Sequence, residues 1–286
     1  MYRVLITGDI HPNGLKKLEQ ERDIEFQFSP DLPYEDVLRI IQPFHCILSR
    51  SETRVNKEMI EAAPELKVIA RAGVGVGNID VEYATERGIL VINTPGKNTN
   101  SAAELTMGLL LSAFRKIVPA HQSMQSLNWD RHRFNGGELL NKCLGIIGLG
   151  NVGHRVARYA KAFDMKVQAF DPYLADEVFE RHGVQKVDWI TLLNTSDVIT
   201  FHFPLIDETR GMISEMEIEM MKPGVILLNT ARGGVIDETS LLNALHSGHV
   251  AAAGIDTWEV APVSYTHLRA HETVLALVCR LLLEKK

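Results

Sequence analysis

The run Gly148-Leu149-Gly150-Asn151-Val152-Gly153 follows the apolar segment Leu144 to Gly148 and leads into Val152, Val156, Ala160 and Phe163 at helical spacing. Strand, glycine turn and helix in that order restrict the chain to folds in which a helix starts at the edge of a sheet. Gly148 permits the tight turn, Gly150 lets a pyrophosphate approach the backbone, and Gly153 lets the helix pack closely with its first N–H groups facing the anion. The next apolar segment, Lys166 to Phe170, ends in Asp171. A carboxylate about twenty residues after the glycines accepts from both ribose hydroxyls and repels a 2′-phosphate, so the pattern favours NAD over NADP. The plain alternative is a glycine turn beside a helix-capping aspartate.

The rest of the chain supplies a sheet for this unit and for a second one. Short β-branched runs at Tyr2 to Thr7, Cys46 to Ser49, Val68 to Ala70 and Leu90 to Ile92 alternate with helical patterns such as Leu15 to Arg22. A second series runs through Val167 to Phe170, Val198 to His202, Val225 to Asn229 and Ala252 to Ile255. Such alternation reads as α/β with parallel sheets. Between the series, Asn93-Thr94-Pro95-Gly96 is turn chemistry, and Ser101 with Glu104 ahead of Leu105 forms a capping box that opens a helix. A domain hinge is therefore expected near residue 100.

At 286 residues the chain is long enough for two cores. Its net charge of −6 offers no diffuse basic surface for nucleic acid. The three cysteines, Cys46, Cys143 and Cys279, are far apart and contain no C-x-x-C, so neither a disulfide framework nor a metal knuckle is supported. Met1 to Asp9 makes neither a secretory signal nor a membrane span, and the expected compartment is the cytoplasm.

Arg232 follows the apolar run Val225 to Asn229, which places a cation at the carboxyl end of the sheet, where open α/β folds bind ligands. Its guanidinium can pair bidentately with a carboxylate and polarise an adjacent carbonyl. A surface arginine closing a salt bridge would read the same way. Arg71 to Gly77 is either an anion-binding nest or an ordinary turn, and Arg50-Ser51 is either a second anion donor pair or a solvated strand end. His202 ends a strand and either lines an adenosine pocket or is a satisfied sheet-end histidine. No G-x-S-x-G elbow, phosphate loop of the Walker type or zincin motif is present.

These residues converge on a family. Arg50-Ser51-x-Thr53, Gly73-Val74-Gly75, Asn93-Thr94-Pro95-Gly96, Ala103-Glu104-Leu105-Thr106, the glycine fingerprint with Asp171-Pro172-Tyr173, His202-Phe203-Pro204-Leu205, Asn229-Thr230-Ala231-Arg232-Gly233 and Gly254-Ile255-Asp256 resemble NAD-dependent D-2-hydroxyacid dehydrogenases. The resemblance runs from about Arg3 to Val260, and Trp129 through Glu138-Leu139 resembles the members acting on 3-phosphoglycerate. It implies two Rossmann-like or flavodoxin-like domains with doubly wound parallel sheets. Residues 1–100 would bind substrate and residues 101–262 would bind NAD. Asn151 and Val152 would contact the pyrophosphate, Asp171 the ribose, and Thr230 with Asp256 the nicotinamide side. His202, Pro204 and Ala231 belong to the same cofactor-binding set. Arg50, Ser51, Val74, Gly75 and Asn98 would hold a small 2-hydroxy or 2-oxo acid in a cleft, with Arg232 catalytic. A homodimer through the nucleotide domain, with the helix starting at Ser101 near the contact, is implied as well.

The match is expected to break after Pro262. The family places an acid directly before that proline, where this chain has Ala261; Glu259 is two residues early, and no Pro-His segment follows. His267 and His271 stand in another context. Residues 263–286 read as a non-family tail, with Leu275, Val278 and Leu282 on one helical face. The C-terminal part of the family fold would then be missing, leaving the sheet edge at Ala251 to Ile255 bare and prone to association. Impaired turnover follows, since loss of a general acid costs roughly 10²- to 10⁴-fold in rate. The alternative function is a nonenzymatic NAD(H)-sensing or partner-binding module.

Overall fold

The computed structural model describes residues 1–259 and 277–279. The chain divides into two compact units, Met1–Asn98 and Thr99–Lys286. In the first, β1 (Tyr2–Ile6), β2 (Ile24–Phe28), β3 (Cys46–Ser49), β4 (Val68–Arg71) and β5 (Leu90–Ile92) form one sheet in the order β2-β1-β3-β4-β5. Every pairing is parallel. This is the flavodoxin-like order, in which the strand sequence reverses between β1 and β3. Its core gathers Leu5, Val37, Ile47, Met59, Ile60 and Ile69.

The second unit contains β6 (Cys143–Ile147), β7 (Lys166–Phe170), β8 (Gln185–Lys186), β9 (Val198–Phe201), β10 (Val225–Asn229), β11 (Val250–Ile255) and β12 (Leu277–Cys279). They form one parallel sheet in the order β12-β11-β10-β9-β6-β7-β8. The reversal lies between β6 and β9, as in the dinucleotide-binding Rossmann order. All five residues of β10 are buried: Ile226 and Leu228 enter one core cluster, Val225 and Leu227 the other. Burial on both faces is why the strand reads as a continuous apolar run rather than an alternating one.

Three expectations are corrected. The helix Thr99–Phe114 is already formed at Thr99, so Ser101 lies in its first turn and does not cap it. Helix formation there is carried by burial of Ala103, Met107, Leu109 and Leu110 rather than by the box. The edge strand β11 is not bare: Ala253, Gly254 and Ile255 pair in parallel with Leu277, Val278 and Cys279. Those three residues extend the ladder, so the helical face drawn through Val278 does not hold there. Leu275 and Leu282, with Ala261, Pro262, His267 and His271, lie outside the described residues.

Candidate dinucleotide and carboxylate site

The chain leaves β6 through Gly148, whose φ of +90° lies in the left-handed region that glycine adopts without strain. A Cβ there would stand 2.6 Å from the His202 carbonyl oxygen, so the exits of β6 and β9 close on each other at the reversal point of the sheet. A Cβ on Gly153 would stand 2.1 Å from the Gly148 carbonyl oxygen, which seats the helix Gly153–Ala162 against the turn. Gly150 is the exception, with no protein atom within 4 Å of where its Cβ would be. That open space is what a close-approaching ligand requires. The helix has no side-chain cap and no acid in its first turn, so its leading N–H groups remain available to an anion.

Asp171 follows β7 and turns its carboxylate onto the glycine loop. Oδ2 accepts from Leu149 N at 3.0 Å and Oδ1 from Tyr173 N at 3.1 Å, which leaves lone pairs on both oxygens for hydroxyl donors. A cavity of about 340 Å³ brings together five of the expected residues, Gly148, Gly150, Asp171, His202 and Pro204. Tyr173, Phe203, Ile206 and Met212 complete an apolar wall suited to a planar base. A larger recess of about 710 Å³ beside Asp171 carries Asp176, Glu180, Asp188 and Lys186, whose ammonium pairs with Asp176. His202 keeps part of its surface in solvent, yet burial of its ring pushes the imidazole down to about 3, so it is neutral at pH 7. Its Nε2 pairs with Thr200 Oγ1 at 3.0 Å. It serves as pocket wall, not as proton donor.

The residues that follow β10 and β11 leave the same edge of the sheet. Thr106 Oγ1 donates to Ala102 O at 2.8 Å, so in its 2.8 Å contact with Thr230 Oγ1 the threonine at 230 is the donor. Thr230 therefore presents only lone pairs outward. Asp256 follows β11 and its N–H donates to Asn229 O at 2.9 Å. Arg232 is exposed; its Nη1 donates to Ala231 O at 2.6 Å, and among the described residues no carboxylate pairs with it. The salt-bridge alternative is thus not seen. Glu259 is taken by Arg210 at 2.7 Å. Asn151 is exposed beside the glycine loop, and Val152 caps the helix with its backbone.

In the first unit, Arg50 and Ser51 leave β3 at the strand-order reversal. A Cβ on Gly8 would meet Arg50 Cγ at 2.6 Å, and Arg50 Nη1 donates to Asp9 O at 3.2 Å. The loop bearing Val74 and Gly75 is held by Asn93 Nδ2, which donates to Val74 O at 2.6 Å, and by Thr94 N, which donates to Gly73 O at 3.0 Å. Asn78 Nδ2 donates to Arg50 O at 2.9 Å and Thr53 O at 2.6 Å, tying the two loops. Asn98 is exposed after β5. Asn78, Asn229 and Thr106 were given no role by the motif reading. For Asn229 the signal was available, since a polar residue ending an otherwise apolar buried strand must find hydrogen bonds locally.

Comparison with known proteins agrees with this geometry. Residues 107–277 match the profile described as D-isomer specific 2-hydroxyacid dehydrogenase, NAD binding domain, further along the chain than Val260. The chain is 46% identical over 263 residues to D-3-phosphoglycerate dehydrogenase of Methanocaldococcus jannaschii, covering 92% of this chain and 50% of that one. It is 43% identical to hydroxypyruvate reductase of Thermotoga maritima, covering 91% and 84%. The D-lactate dehydrogenase of Aquifex aeolicus, solved with NAD and lactic acid, superimposes with a TM-score of 0.82 at 28% identity, covering 96% and 87%. This chain spans about half the length of the phosphoglycerate dehydrogenases it matches. The reversed Rossmann sheet, the open glycine cradle, the acid after β7 and a profile match across most of the second unit lead to one conclusion: the chain belongs to the D-isomer specific 2-hydroxyacid dehydrogenase family and carries its NAD-binding domain.

Proposed function

We propose that this protein interconverts a D-2-hydroxy acid of the 3-phosphoglycerate or hydroxypyruvate type and its 2-oxo acid with NAD(H). The observation that carries the reading is Arg232, a guanidinium without a carboxylate partner among the described residues, on the sheet edge that also holds the glycine cradle. Bound NAD supplies the hydride acceptor. Arg232 pairs with the substrate carboxylate and draws electron density from the neighbouring carbonyl oxygen. Thr230 and Asp256 flank the nicotinamide side, and Asp171 selects the unphosphorylated ribose. In the first unit, Arg50, Ser51, Val74, Gly75 and Asn98 form the acid-binding surface. Domain assignments follow: residues 1–100 for substrate and 101–262 for NAD, with Leu277–Cys279 adding a strand to the NAD-binding sheet.

Turnover is weak, because among these 286 residues no Pro-His segment matches the family's proton donor and Ala261 stands where its partner acid would be. The protein works as a homodimer in the reducing cytoplasm. The dimer reading is supported by Leu127 and Trp129, which are 93% and 79% exposed in the segment after Ile117–Gln125. The test pairs NADH fluorescence titration with reduction of hydroxypyruvate. Binding of NADH but not NADPH, with slow reduction abolished by Arg232→Ala, is expected. Tight NADH binding with no response to any 2-oxo acid would favour the sensing module.

A further inference from the structure

Asn229 ends β10 and is 2% exposed. Both ends of its side chain amide are committed to the loop that follows: Oδ1 accepts from Ala231 N at 3.1 Å and Nδ2 donates to Arg232 O at 2.8 Å. Its own backbone oxygen receives Asp256 N at 2.9 Å. One residue thus fixes the loop on two sides and aligns it with the exit of β11. Beyond Arg232 the loop is pinned again, because a Cβ on Gly233 would stand 2.0 Å from Trp258 O. The Arg232 guanidinium is folded onto Ala231 O, so its direction is set by the loop and by no carboxylate among the described residues.

We infer that Asn229 is the positioning residue for Arg232: its amide knots residues 229–232 so that the guanidinium is preset for a substrate carboxylate. The inference rests on the carboxylate-binding reading of Arg232 given above. It demands a neutral group at 229 that accepts from one N–H and donates to one carbonyl. An aspartate of the same shape keeps the acceptor facing Ala231 N but turns a lone pair toward Arg232 O, and only the protonated acid restores the donor.

The test uses the full chain and two titrations, NADH alone and hydroxypyruvate added to the NADH complex, both followed by NADH fluorescence. Asn229→Asp at pH 7.5 is expected to hold NADH within about threefold of the parent while binding hydroxypyruvate at least about tenfold more weakly, the size of one misplaced charge-assisted contact. At pH 5.5 the hydroxypyruvate deficit of Asn229→Asp, measured against the parent at the same pH, should shrink, whereas that of Asn229→Ala should persist. Retained NADH binding shows that the variants are folded. Full hydroxypyruvate affinity in Asn229→Asp at pH 7.5 overturns the inference. So does a deficit as large at pH 5.5 as at 7.5, which is what a merely structural residue would give. Arg232→Ala separates the two readings: if it binds hydroxypyruvate as the parent does, the carboxylate role of Arg232 fails, whatever Asn229 does.

Discussion

Gly150 and Gly153 sit three residues apart in one turn, yet they answer to different partners. The first has open space where a side chain would be, and the second has the Gly148 carbonyl. Gly153→Ala must push the helix off the turn, and a loss of about 1–3 kcal/mol in urea unfolding is expected. Gly150→Ala should leave stability within about 0.5 kcal/mol, the range of substitutions away from structural features. Its effect should appear in NADH affinity alone, measured by fluorescence. His202 adds a pH signature. Because burial holds its imidazole at about 3 against a free value of 6.5, the unfolded chain takes up the proton first as pH falls. Stability contributed by neutral His202 is present above the unfolded value and is lost between there and about 3, with a limiting slope of about 1.4 kcal/mol per pH unit. Urea titrations of the parent and His202→Asn from pH 7 to 5 should therefore converge as the pH drops.

At the scale of elements, the helix Thr99–Phe114 and the sheet meet with no spare volume at Gly254. A Cβ there would stand 2.8 Å from Leu228 Cδ2 and 2.9 Å from Leu109 Cβ. Gly254→Ala is expected to cost about 1–3 kcal/mol by overpacking, read as a lowered melting temperature, with NADH affinity per folded molecule little changed. Strands in the interior of their sheets were the legible ones: Cys46–Ser49 and Val225–Asn229 coincide with the runs that apolar content marks. Of the edge strands, Leu90–Ile92 was marked, whereas Ile24–Phe28 and Gln185–Lys186 were not. In Ile24–Phe28 most residues are exposed, so the alternation of Ile24, Phe26 and Phe28 stood out less than the buried runs did. Gln185–Lys186 is a two-residue ladder with no apolar residue to announce it. The glycine turn and Asp171 were legible because backbone geometry and charge demand particular residue types. The bracing amide of Asn78 was not, because an asparagine in a loop has many uses and its partners are chosen by the tertiary fold.

For the whole molecule, cofactor binding should leave a localised footprint. Hydrogen exchange with saturating NADH is expected to slow at 148–153, 171–173 and 202–212, and the same experiment on Asp171→Ala should lose the effect at equal ligand concentration. The strand order of the second unit has a kinetic corollary. β6 finds β9 only across more than fifty intervening residues, with Leu144 opposite Val198. The walls contributed by Gly148 and His202 come into being at that late closure, so a chain short of its barrier has nothing for a dinucleotide to grip. Stopped-flow refolding should therefore run at one speed with or without NADH, while the folded protein, once loaded, should come apart more slowly in urea. The coenzyme acts as a latch on the finished molecule and gives no help in building it.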